Sequence, residues 1–133
     1  MIIEIIISEL DFHLIERIRE LRIKANMSQV AFAHKIGVSE GYIGNIENHK
    51  QPNKYNIRML SRVAIALGLN SYLELFPEKI YAHDLVKIKI TLPSKDEFKD
   101  KINNTIPRFS NITITPLSEI EILNYDKNLR AKK

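Results

Sequence analysis

Between positions 12 and 67 the apolar residues recur every three or four places, whereas beyond Pro77 they recur every second place. Helices followed by strands are the expected result. From Phe12 the residues Leu14, Ile15, Ile18 and Leu21 form one stripe, with Glu16, Arg17, Arg19, Glu20 and Arg22 around the rest of a first helix. Ser28 can cap a second helix that runs through Val30, Phe32, Ala33 and Ile36 to Gly37, a residue suited to a left-handed helix end. Ser39 supplies the next N-cap two residues later, and Tyr42, Ile43 and Ile46 give a third helix its apolar face before "ENHKQP" stops it at Pro52. A fourth helix fits residues 55–67, with Ile57, Leu60, Ala64 and Leu67 inward and Gly68 just past its end. "SYLELF" allows one last short turn.

After Pro77, Val86, Ile88, Ile90 and Leu92 alternate with Lys87, Lys89 and Thr91, as on a half-buried strand. In "SKDEFKDKIN", Ser94 and Glu97 make a capping box, and Phe98 and Ile102 share a face of a short helix. "NITIT" at 111–115 and "EIEIL" at 119–123 read as two more strands, and the closing "DKNLRAKK" as a frayed end. Near the N-terminus Ile3, Ile5 and Ile7 lie on one side of a further strand, which needs a sheet to join; the tail strands are the nearest candidates.

The stretch "GVSEGYIGNIEN" at 37–48 places three glycines within eight positions. Their spacing, Gly37-x3-Gly41-x2-Gly44, fits neither a dinucleotide fingerprint nor a phosphate-binding loop, and no Lys-Ser/Thr follows. Two short helices crossing closely at a steep angle need other things: a small residue on the first, a turn residue tolerating positive φ, and aliphatic residues on the second. Ala33, Gly37, and Val38 with Ile43 and Ile46 occupy those places. Gly41 and Gly44 fall inside the third helix, where each costs about 1 kcal/mol against alanine; close approach to DNA would compensate, and a weak surface helix drifted to glycine is the alternative.

The segment "MSQVAFAHKIGVSEGYIGNIENHKQP" resembles the helix-turn-helix core of the Cro and phage-repressor family of DNA-binding proteins, and the resemblance covers about residues 12–77. Ser28-Gln29 is similar to the family's start of helix two, Ala33 to its small crossing residue, "GVS" to its turn and "IEN" to the end of its recognition helix. The resemblance implies a mainly α fold: a compact lambda-repressor-like bundle of four or five helices over 12–77. An N-terminal strand or arm over 1–11 and a small α+β extension over 78–133, suited to dimerisation, complete the expected organisation. It also implies residue roles. Gln29 would bond a phosphate at a helix N-terminus. Ser39, Glu40, Gly41 and Asn45 match base-facing positions, where Asn45 could pair with an adenine and Glu40 could accept from a cytosine. Tyr42, Asn48, Lys50 and Lys54 are candidates for phosphate contact. Arg22 and Glu47 fall where the family joins helix one to the recognition helix by an ion pair, and His49 stands where the family usually has glycine.

Composition narrows the alternatives. At 133 residues, 44% of them hydrophobic, one principal core is expected. Cysteine is absent, which excludes disulfides and thiolate chemistry and fits a reducing cytoplasm. "MIIEIIIS" is too short to span a bilayer and reads neither as a membrane anchor nor as a signal peptide. Residues 1–11 carry −3, 12–77 carry +4 and 78–133 carry +3, a balance that suits a polyanionic partner and equally ordinary lysine solubility. His13, His34, His49 and His83 show no metal-binding spacing and read as surface residues; no cofactor, metal site or catalytic arrangement is expected. The expected function is a sequence-specific regulator of transcription bound as a homodimer to a near-palindromic double-stranded operator. The competing reading is an antitoxin or adaptor whose C-terminal region binds a protein partner.

Overall fold

The structure is a computed structural model that describes residues 2–91, 108–109 and 111–131. Strand β1 (Ile2–Ser8) leads directly into helix α1 (Glu9–Lys24), and Ser8 makes the junction: its hydroxyl accepts the Asp11 N–H at 3.2 Å. Acidic Glu9 and Asp11 at the start of α1, with Arg22 and Lys24 at its end, suit the helix dipole. Helix α2 (Gln29–Ile36) is capped by the Ser28 hydroxyl on the Ala31 N–H at 3.0 Å. Gly37, at φ 77°, closes it in the left-handed region, and the Val38 N–H reaches back to the Ala33 carbonyl. Helix α3 (Glu40–Glu47) follows after this turn, then α4 (Ile57–Ala66) and a 3-10 turn at Tyr72–Leu75.

The fourth helix is rotated from its expected stripe. Asn56 caps it through the Met59 N–H, so the face turned inward is Met59, Leu60, Val63 and Ala66, while Ile57 in the first turn is 84% exposed. Val30 on α2 is exposed as well.

Strand β2 (Leu85–Thr91) and strand β3 (Asn111–Pro116) complete an antiparallel sheet in the order β1-β2-β3. Pairing of Ile3 with Ile90, Ile5 with Ile88 and Ile7 with Val86 sets the aliphatic residues of both strands on one face. That face and the inner sides of the helices form a single core, which includes Ile5, Ile15, Ile18, Phe32, Ile43, Val63 and Ile88. The N-terminal strand thus pairs within its own chain.

The run "EIEIL" is not a strand. It opens helix α5 (Glu119–Ala131), because Ser118 and Glu121 form a reciprocal cap: the Ser118 hydroxyl accepts the Glu121 N–H at 3.2 Å, and Glu121 accepts the Ser118 N–H at 3.1 Å. This local cap outweighs the two-residue alternation, and the helix carries on through most of the stretch expected to fray. The helix expected over "SKDEFKDKIN" lies outside the described residues.

Candidate nucleic-acid interface

Helix α3 is anchored from its inner side. Ile43 and Ile46 enter the core, and Glu47, one turn on from Ile43, is carried in with them. Its side chain is 1% exposed and that of its partner Arg22 is 0% exposed. Arg22 donates from Nε and Nη2 to the two carboxylate oxygens, each at 2.8 Å, and from Nη1 to the Met27 carbonyl at 2.8 Å. Gln29 on α2 donates its amide N–H to Glu47 Oε1 at 2.9 Å. One carboxylate therefore ties α3 to both preceding helices. Arg19 approaches it at 3.9 Å, and burial pulls the Arg19 pKa down to about 10, aided by the neighbouring positive charges of Arg108 and Arg22.

The opposite side of α3 faces solvent. Ser39, Glu40, Gly41 and Asn45 are all exposed there; Ser39 sits at the N-cap without a side-chain bond to the helix. Glu40 is not bare, since His34 on α2 meets it at 3.0 Å. Asn48 and Lys50 are exposed, and the Asn48 side-chain oxygen accepts the Lys50 N–H at 3.1 Å, shaping the exit from the helix. Tyr42 is half-buried against the core. Lys54 is half-buried too, its ammonium 3.4–3.5 Å from the carbonyls of Gln51, Pro52 and Asn53, and burial lowers its pKa. A phosphate contact from Lys54 requires the ammonium to leave those carbonyls. Gln29, expected at a phosphate, directs one amide N–H to Glu47.

The structure accounts for Gly44 from within. A Cβ there would lie 3.2 Å from Gln29 Oε1, so the glycine makes room for the amide that braces Glu47, and DNA approach is not needed to explain it. Gly41 differs, because a Cβ would meet nothing within 4 Å. Gly41→Ala is therefore expected to stabilise the fold by about 1 kcal/mol through helix propensity, read as a higher urea midpoint. A midpoint unchanged or lowered would mean that this helix position is constrained in some other way.

A second polar cluster adjoins α3 at its C-terminal end. His49 is buried, not at the surface: its side chain is 4% exposed, its ring lies 4.7 Å from that of Phe12, and its Nε2 meets Glu16 Oε2 at 2.9 Å. Arg108, from the C-terminal region, donates to the same carboxylate from Nε at 3.2 Å and from Nη2 at 2.6 Å. The Arg108 guanidinium also lies over the Phe109 ring at 4.7 Å. Burial pushes the Glu16 carboxyl up, but the His49 hydrogen bond and the Arg108 charge together hold it below the usual range. Burial lowers the His49 pKa, against the partial restoring pull of Glu16. Sequence reasoning missed Glu16, His49, Arg108 and Phe109 as a group. The available signal was His49 itself, standing where the resemblance leads one to expect glycine.

Among the described residues no group of three or more His, Asp or Glu side chains is placed to hold a metal, and no helix is long and apolar enough to cross a membrane. The family model for helix-turn-helix domains matches residues 18–71. A hypothetical transcription factor from Neisseria is 24% identical over 53% of this chain and 78% of its own, with a TM-score of 0.45. The restriction-modification controller protein C.AhdI from Aeromonas hydrophila is 30% identical over 48% of this chain and 92% of its own, with a TM-score of 0.42. No curated protein matches. The matched residues contain the pair α2 and α3, the Gly37 turn and the Arg22–Glu47 anchor, and through them the chain belongs to the helix-turn-helix family of DNA-binding proteins, of the Cro and phage-repressor type.

Proposed function

We propose that this chain is a sequence-specific, double-stranded DNA-binding regulator of transcription that acts in the cytoplasm as a homodimer, with α3 in the major groove of each half of a near-palindromic operator. The observation that carries this reading is the two-sidedness of α3. Its inner face is fixed by Glu47 to α1 and α2, while Ser39, Glu40, Gly41 and Asn45 stand exposed on the outer one. A rigid helix with a solvent-exposed outer face is what base readout requires, since misplacement by a fraction of an ångström breaks bidentate hydrogen bonds. Asn45 is the base-reading side chain best suited to an adenine, and Glu40 can accept from a cytosine once it parts from His34. Asn48, Lys50, Tyr42 and Lys54 supply phosphate contacts, and Gln29 acts by holding Glu47.

Selection of duplexes from a randomised pool tests the reading. An inverted repeat should be enriched, and Asn45→Ala should weaken binding to it by about 1–3 kcal/mol while relaxing preference at one position of each half-site. Equal binding to all duplexes, or loss of affinity in the variant without any change in preference, would remove Asn45 from base readout.

A further inference from the structure

Helix α3 brings two carboxylates and no lysine or arginine to the interface. Each carboxylate meets a basic side chain from an earlier helix, and the two basic groups differ in kind. Glu47 is enclosed with Arg22, whose charge is permanent. Glu40, in the first turn of α3, stands outside with His34 in the last turn of α2. His34 Nε2 and Glu40 Oε1 are 3.0 Å apart, and the two side chains are 61% and 67% exposed. Imidazole gains or loses its charge in the physiological range, so the charge of this outer pair, unlike that of the inner one, depends on a proton.

The surroundings leave the pair to itself. Helices α3 and α4 pack on α2. Their titratable and charged side chains are Glu40, Tyr42 and Glu47 on α3 and Arg58 and Arg62 on α4, and α2 itself adds Lys35. Arg62 is turned to the Ile36 carbonyl at 3.0 Å, Glu47 to Arg22 and Tyr42 to the core. Among the described residues His34 is the one basic side chain within ion-pair reach of Glu40. The helix ends suit such a pair, an imidazolium at the carbonyl end of α2 and a carboxylate at the N–H end of α3. DNA gives this arrangement a consequence. A duplex carries about one negative charge per 1.7 Å of its axis, so a bare carboxylate on the groove-facing side of α3 is repelled.

We infer that His34 is a specificity-determining residue of the operator contact proposed above, on which this inference rests: its imidazolium cancels the charge of Glu40 and competes with a cytosine for that carboxylate. On a duplex with cytosine opposite, the N4–H group draws Glu40 away, and the freed imidazolium turns to the phosphates. On a duplex without it the pair stays closed and neutral, and the site is tolerated. His34 thus sets how strictly Glu40 reads. The proton is held more firmly in the complex than in the free protein, because the phosphates add their charge to that of Glu40, so affinity rises as the pH falls.

The test uses the full chain, the duplex it selects, and a second duplex changed at the position whose preference Glu40→Gln erases. Binding is measured at about pH 8 and about pH 6.5, at constant salt, for the wild type, His34→Ala and His34→Lys. Both substitutions fall at an exposed helix position, and melting temperatures close to the wild type confirm folding. The wild type should bind the selected duplex about tenfold more tightly at the lower pH, the equivalent of one unit of proton affinity. His34→Ala should bind weakly at both, yet discriminate between the two duplexes severalfold more than the wild type does at the lower pH, since nothing competes for Glu40. His34→Lys should bind tightly at both, restoring the charge without the proton. A histidine that only supported the fold would lower affinity and leave discrimination where it was. Wild-type binding independent of pH, a pH dependence that survives in His34→Ala, or discrimination that is not sharpened in that variant overturns the inference and leaves the regulator intact. The same follows if Glu40→Gln erases no preference. Selective binding by none of the forms overturns this inference and the operator reading together.

Discussion

Glu47→Ala is expected to destabilise the fold by about 3–5 kcal/mol, a large fraction of the 5–15 kcal/mol that holds a typical domain together. The cause is what it leaves behind. Arg22, fully buried, would retain the Met27 carbonyl as acceptor but lose both bonds to the carboxylate, and the Gln29 amide would lose its partner. An uncompensated guanidinium in the interior costs more than the pair itself contributes. Thermal unfolding should therefore drop by roughly 10 °C or more. A change under about 1 kcal/mol would mean that the guanidinium finds water or another acceptor, and that the anchor is dispensable. The double variant Arg22→Met with Glu47→Leu separates stability from orientation. It removes both charges, so it should recover most of the stability, yet α3 would lose the hydrogen bonds that set its angle, and duplex selectivity should stay impaired.

How much of this was legible beforehand depended on the range of the interactions involved. Caps and turns lie within a few residues of one another, and Ser28, Gly37 and Gly68 stand where the sequence places them. Alternation in β1 and β2 was equally plain, because one face of each strand is buried and the other is not. Where the pattern misled, two local signals competed. In "EIEIL" the apolar residues alternate, but Ser118 and Glu121 are three apart and close a helix cap that decides the matter. At α4 the periodicity was right and its phase wrong, since Asn56 starts the helix and Ile57 falls outside. The interface divides along the same line. The exposed positions of α3 follow from helical periodicity once its inner face is known. Gly44 could not be understood without Gln29, which lies fifteen residues away in sequence and against it in space. The Glu16–Arg108 pair spans 92 residues, and no periodicity reaches that far.

That pair carries the second large effect. Glu16→Ala removes the acceptor shared by Arg108 and His49, leaving two buried cationic or polar groups beside Phe109 and Phe12. If the neighbouring structure held rigid, the cost would approach that of any broken buried pair, about 3 kcal/mol or more. Arg108 belongs to a region remote in sequence from the helix-turn-helix, so the less costly response is for it to leave the cluster and regain water. Trypsin reports the difference: the bond after Arg108, protected while its side chain is buried, should be cut much faster in Glu16→Ala than in the wild type. Acid should act in the same direction. The unfolded chain binds a proton at His49 near pH 6.5, whereas the folded one, with His49 buried and flanked by the positive charges of Arg108 and Lys54, binds it only at lower pH. Stability contributed here is therefore full above pH 6.5 and falls as the pH drops toward the folded value. Glu16, with its pKa lowered in the fold, adds a second loss as the pH falls below about 4.5, its ordinary value. The wild type should thus lose stability in two steps on acidification, and His49→Asn should abolish the first of them. A wild-type profile flat between pH 7 and 5, with trypsin cleavage after Arg108 equal in both proteins, would show that this cluster does not fasten the C-terminal region to the end of α3.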